Sequence, residues 1–106
     1  MNKMASYQGY GGALSYHFAE TVTAATGDAL LMPGLERNAT VAVFPGTGAT
    51  VQVTASHPND IKAGTAKWID WTQGQITAPT MVMLPERVTA ARLVANADAS
   101  DWEVLV

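Results

Sequence analysis

The feature that most constrains this chain is a pair of short runs in which valine alternates with small or polar residues. In Thr40–Phe44, Val41 and Val43 fall on one side; in Ala49–Ala55, Val51 and Val53 do the same, with Thr50, Gln52 and Thr54 opposite. Side chains of a strand point alternately to its two faces, so a period of two predicts two strands, each with one buried face. Threonine and valine are stiff at the β-carbon and pack well on a pleated surface, which favours the same reading. Pro45-Gly46-Thr47-Gly48 separates the runs, and a short glycine-bearing connection between alternating segments predicts a β-hairpin. Strands with one dry face need a second layer to cover it, so the chain is expected to be all-β.

The remaining segments continue this pattern. From Ala13 to Thr23, Leu14, Tyr16, Phe18 and Val22 point one way and Ser15, His17, Thr21 and Thr23 the other, while Glu20 interrupts the apolar face and predicts a bulge or an edge. Gly27-Asp28 signals a turn, Ala29–Met32 is a short apolar run closed by Pro33-Gly34, and Leu35–Asn38 is a polar connection. Ser56–Gly64 reads as a loop, Thr65–Trp71 as a strand and Thr72–Gln75 as a turn. Ile76–Leu84 is an apolar strand with Pro79 inside it; proline cannot donate to a ladder, so this strand lies at an edge or breaks there. Pro85–Ala97 has the proline, early Glu86 and alanines of a helix, but Leu84 is a poor N-cap, and Val88, Thr89 and Val94 favour the strand we expect. Asn96–Asp101 is a turn before a last strand, Trp102–Val106. The sum is a single-domain antiparallel β-sandwich or barrel of about seven or eight short strands over residues 13–106. Residues 1–12 are polar and glycine-rich and are expected to form a flexible arm, whose Tyr7 and Tyr10 offer contact area to a partner.

The expected core is Phe18, Val41, Val43, Val51, Val53, Val88 and Trp102. Trp68 and Trp71 are three residues apart, so on one regular strand they point to opposite faces. Trp68 would share a face with Ala66 and Asp70, and Trp71 with Lys67 and Ile69. Burying a tryptophan removes ~150–250 Å² from water, worth roughly 4–6 kcal/mol as an upper estimate. Both are therefore candidates for the core, for a subunit contact or for a sugar-stacking platform. Arg92 lies among apolar residues and calls for a partner, for which Asp70 is the candidate.

Composition narrows the function. The chain has 106 residues, of which 48% are hydrophobic and only 14% charged, with a net charge of −3. Globular proteins average about 25% charged residues, so a charge-poor surface leans toward contact with copies of itself or with another protein. The six Lys and Arg residues are scattered, giving no basic cluster for nucleic acid. No apolar run approaches a membrane span, and the first twelve residues lack the apolar centre of a secretion signal; a soluble protein made in a cytoplasm is expected. Without cysteine there are no disulfides or thiolate chemistry. His17 and His57 have no ligand-spaced neighbour, no serine sits in a nucleophile elbow, and Asp98, Asp101 and Glu103 lack calcium-loop spacing. Gly46-Thr47-Gly48 has no lysine after it and reads as a turn rather than a phosphate loop. No enzyme, metal or cofactor is expected.

One stretch carries a family resemblance. Ala66-Lys67-Trp68-Ile69-Asp70-Trp71-Thr72-Gln73-Gly74, then Pro85-Glu86-Arg87-Val88-Thr89-Ala90-Ala91-Arg92, then Trp102-Glu103-Val104 resembles small virion proteins of tailed phages. The shared order is a tryptophan-bearing strand, a glycine turn, a threonine- and alanine-rich strand with one arginine, and a valine-rich end. The resemblance implies an all-β, non-enzymatic accessory protein, often trimeric, that decorates and reinforces a capsid by binding the major capsid protein or another virion part. It implies no catalytic residue. The absence of a fibrous repeat favours a compact decoration protein over a fibre shaft. The alternative is a carbohydrate- or receptor-binding module of a phage fibre, with Trp68 or Trp71 as its stacking surface.

Overall fold

The computed structural model describes residues 4–5, 8–9, 16–32, 39–84 and 88–105, with side chains from residue 17 onward within those ranges. The strands are β1 (Met4–Ala5), β2 (Gln8–Gly9), β3 (Tyr16–Thr23), β4 (Ala29–Leu31), β5 (Ala39–Phe44), β6 (Ala49–Thr54), β7 (Ile69–Ile76), β8 (Thr80–Leu84), β9 (Ala90–Ala95) and β10 (Ala99–Leu105). One short helix, α1 (Pro58–Ala63), lies between β6 and β7. The front sheet has the order β1-β4-β9-β6-β7 and the back sheet β2-β3-β10-β5-β8. All pairings are antiparallel except that of β1 with β4. The architecture is an open two-layer β-sandwich rather than a closed barrel.

From β3 to β10 every connection but one passes from one sheet to the other; only β6 and β7, joined through α1, are consecutive neighbours in one sheet. The consecutive strands β3 and β4, β5 and β6, β7 and β8, and β9 and β10 hold the same place in the two sheet orders. This is the strand order of an eight-stranded jelly roll, to which β1 and β2 add one short edge each.

The expected hairpin is not formed. Its strands exist as β5 and β6, but β5 pairs with β10 and β8 and β6 pairs with β9 and β7, so Pro45–Gly48 arches between sheets. The arch is tied at its far end, where Gly46 N–H donates to Ser100 Oγ at 3.1 Å and Asn96 N–H to Gly48 O at 3.0 Å. Both solutions bury Val41, Val43, Val51 and Val53, so the alternation fixed their inward direction and left their partners open.

Other expectations are revised in detail. Ser56–Gly64 contains α1: His57 Nδ1 accepts from Asn59 N–H at 3.0 Å, Pro58 starts the helix, and Gly64 at φ 78° ends it. Its Ile61 is fully buried against Ala29 and Ala90 on the outer side of the front sheet. The strand expected at Thr65–Trp71 starts later, at Ile69, and Thr72–Gln75 falls within it. There Thr50 faces Gln75 while Gln52 faces Asp70, so four residues of β7 oppose one of β6. Gly74, at φ 64°, makes this bulge possible. The Ile76–Leu84 strand breaks at residues 77–79, which include Pro79: Ile76 is the last residue of β7 and Thr80–Leu84 form β8, edge strands of different sheets. In Pro85–Ala97 the described part forms strand β9, with residues 85–87 outside the described set. The final strand starts earlier than Trp102, at Ala99.

Glu20 causes no bulge, but it does lie at an edge: among the described residues β2 pairs only with Tyr16 and His17, so β3 has a single partner strand at Glu20. β3 stays in step with β10 from His17 to Thr23, and Glu20 sits directly opposite Trp102. Its carboxylate accepts from the Trp102 indole N–H at 3.0 Å and from the Asp28 backbone N–H at 3.2 Å. The apparent break in the apolar face is a polar partner for a buried tryptophan.

The core fills the space between the sheets with Val22, Leu30, Val41, Val43, Val51, Val53, Trp71, Leu93, Trp102 and Val104. Phe18 and Val88 are partly buried against it, and Phe18 meets Trp102 edge-on with ring centroids 5.7 Å apart. In the stretch expected as an arm, Met4–Ala5 and Gln8–Gly9 pair with the sheets, while Tyr7 and Tyr10 lie outside the described residues, as do Ala13, Leu14 and Ser15.

Candidate functional site: an open corner and an apolar outer strip

Strand parity separates the two tryptophans. Trp71 is 4% exposed and belongs to the central core, so it offers no ring to a partner, contrary to its candidacy as a contact residue. Trp68 precedes β7, lies with Ala66 in the second cluster outside the front sheet and is half-buried. The Arg92 guanidinium covers its ring at 4.1 Å, so that face is not an open stacking platform.

Arg92 and Asp70 do not pair directly. Gln52 stands between them in the register, facing Arg92 on one side and Asp70 on the other. Arg92 Nε donates to Gln52 Oε1 at 2.9 Å, and Gln52 Nε2 donates to Asp70 Oδ1 at 3.1 Å. The result is a polar ladder across three strands, anchored by the stack on Trp68. Partial burial draws the arginine's pKa down from its usual value, as expected for a cation shielded from water without an adjacent carboxylate.

A crevice of about 550 Å³ opens where β6 ends and β7 begins. Val53, Ile69, Trp71 and Val88 form its apolar wall, with Ser56, Lys67, Asp70 and Thr72 also lining it. Ile69 pairs with Val53 and shares its inward parity, yet it is 68% exposed while Val53 is buried. The two layers therefore do not close over Ile69. The Trp71 Nε1–H, in the same wall, is buried and has no acceptor among the described residues.

A second apolar surface lies on the outer face of the back sheet. Met81 and Met83 of β8 are 71% and 54% exposed, and Phe44 and Leu105 are also exposed. The register sets Met81 beside Ala42 and Met83 beside Thr40, while Thr40 also faces Leu105. The strip thus runs along β5 and β8 and reaches the end of β10. Beyond it the face turns polar: His17 bonds Glu103 at 2.8 Å, and Thr21 donates to Asp101.

Sequence reasoning missed this strip, although Met81 and Met83, two apart on a strand already placed at an edge, carried its signal. It also missed Gln52 as the bridge to Arg92, since only the sheet order brings those strands together. His57 serves as a helix cap and His17 as a surface partner of Glu103. Among the described residues no group of three His, Cys, Asp or Glu side chains is placed to hold a metal, and no helix is long and apolar enough to cross a membrane. No protein-family model, curated protein or solved structure matches the chain.

Proposed function

We propose that this chain is a non-enzymatic structural subunit of a bacteriophage virion, which oligomerises and binds the outer capsid surface as a reinforcing or decorating protein. The observation that carries the assembly part is the exposed strip of Phe44, Met81, Met83 and Leu105 on a charge-poor domain. Exposed apolar side chains grouped on one face of a monomer are often functional, marking a site of contact with another protein. The strand order supports the same reading by analogy of fold alone, since jelly rolls serve as viral capsid and lectin domains. The phage assignment itself rests on the resemblance in the Trp68–Trp71 and Trp102 segments, which also implies a trimer.

Binding that favours the closed lattice over its open state would reinforce a shell by mass action. The test is light scattering of the purified chain, together with co-sedimentation with purified tailed-phage capsids. An oligomer that co-sediments, and a Met81→Lys/Met83→Lys variant that stays folded but does neither, are the expected results. A wild-type monomer that ignores capsids overturns the proposal. The fibre-module alternative has less support, because the Trp71 ring is buried and one face of Trp68 is taken by Arg92.

A further inference from the structure

The open corner at Ile69 is a different surface from the outer strip, and it has the shape of a ligand site rather than of a docking face. We propose that the crevice where β6 ends and β7 begins binds a small amphipathic carboxylate, its apolar tail between Ile69, Val53 and Val88 and its acid group at Lys67. This inference is independent of the assembly proposal.

Three observations carry it. The first is the unfinished core: Ile69 points inward by register, opposite the buried Val53, yet remains 68% exposed. An inward isoleucine next to a void of about 550 Å³ leaves apolar surface that only an apolar occupant removes from water. That volume lies within the ~300–1,000 Å³ typical of small-molecule sites, and it is concave, unlike the flat strip on the back sheet.

The second is the charge at the mouth. Lys67 has no carboxylate partner among the described residues. Its backbone is fixed from both sides, with its N–H donating to Ser56 Oγ at 3.0 Å and its carbonyl accepting from Thr54 Oγ1 at 2.7 Å. The one acid among the described lining residues, Asp70, has an oxygen held by Gln52 Nε2, and Gln52 in turn is held by Arg92. The ladder thus engages the acid on the outer side of the front sheet and leaves the ammonium as the charge free to meet a ligand.

The third is the Trp71 indole N–H, a buried donor without an acceptor in a residue that forms the wall. Such an unpaired buried donor is unfavourable, and it belongs to a residue of the crevice wall. This also makes the indole proton a reporter of occupancy.

The experiment is a titration of the full chain with octanoate, octanol and octyltrimethylammonium, each below its micellar concentration, followed by ¹H–¹⁵N NMR. Trp71→Phe assigns the Trp71 indole resonance. Saturable binding of octanoate, about tenfold tighter than octanol and with shifts at the Trp71 indole and at Val53, Ile69 and Val88, is the expected result. Lys67→Met should weaken octanoate about tenfold and leave octanol unchanged, since it keeps the aliphatic stem and removes the charge. Thr72→Trp, at an exposed lining position, should block all three without altering the far-ultraviolet circular dichroism. Absence of saturable binding by octanoate overturns the site. Binding of the ammonium as tight as that of octanoate overturns the acid assignment. Shifts centred on Phe44, Met81 and Met83 instead of Trp71 show adsorption to the outer strip and overturn it as well.

Discussion

The carboxylate of Glu20 is the sharpest point at which this structure can be put to the test. Its two oxygens serve two different donors, Trp102 Nε1–H at 3.0 Å and Asp28 N–H at 3.2 Å. Glutamine has nearly the same shape but only one acceptor oxygen, so Glu20→Gln keeps one bond and sets its NH₂ against the other donor. A hydrogen bond to a charged group contributes about 1.5–3 kcal/mol, and the site is partly wet, which takes the lower part of that range. The expected loss is therefore about 2 kcal/mol for Glu20→Gln and about 3 kcal/mol for Glu20→Ala, which orphans both donors. With a urea slope of about 1–1.5 kcal/mol/M for a domain of this size, the glutamine variant's midpoint should fall by about 1.5 M. Its thermal midpoint should fall by about 8–16 °C. Gly27 belongs to the same arrangement, because a β-carbon there would lie 2.6 Å from Glu20 Oε1; Gly27→Ala should displace the carboxylate and destabilise in the same direction. Pairing Glu20→Gln with Trp102→Phe in a double-mutant cycle should give a coupling of about 1 kcal/mol or more. A Glu20→Gln protein within about 0.5 kcal/mol of wild type, or a cycle that closes additively, would refute the reasoning.

Three further outcomes follow from the same contacts, each read by urea unfolding unless stated. Trp71→Phe removes a buried unpaired donor along with some packing, so it should fall within about 1 kcal/mol of wild type, whereas Trp102→Phe should cost about 2–4 kcal/mol. Arg92→Ala should cost about 1–2 kcal/mol through its stack on Trp68 and its bond to Gln52, while Asp70→Ala stays within about 0.5 kcal/mol; equal losses would point to a direct ion pair instead. Gly74→Ala meets no atom within 4 Å, so its cost should be the left-handed backbone alone, about 1 kcal/mol, with light scattering unchanged.

The candidate site was partly legible in the sequence because parity is a local property. Three residues of separation placed Trp68 and Trp71 on opposite faces, and the same counting put Ile69 with Trp71 and Ala66 with Trp68, as the crevice and the outer cluster have them. Which tryptophan was buried could not be counted, since it depends on which side of β7 faces the second layer. The exposure of Ile69 was equally hidden: its parity says inward, and only the arrangement of the opposing layer leaves it uncovered.

The same division runs through the whole fold. Alternation in Thr40–Phe44 and Ala49–Thr54, the break at Pro79 and the β-branched residues around Ala90–Ala95 determined that these segments are strands and which side chains turn inward. Those are consequences of backbone geometry within a few residues, and the sequence states them directly. Strand partners are a different matter. Pro45–Gly48 can join neighbours in one sheet or arch between two, and either choice buries the same four valines. The arch prevails because β10, the last strand, inserts between β3 and β5, and β9 inserts between β4 and β6. Those ladders join segments dozens of residues apart, with Trp102 locked opposite Glu20 across 82 positions. Such pairings are decided by the packing of the assembled layers, and no local stretch of the chain contains them.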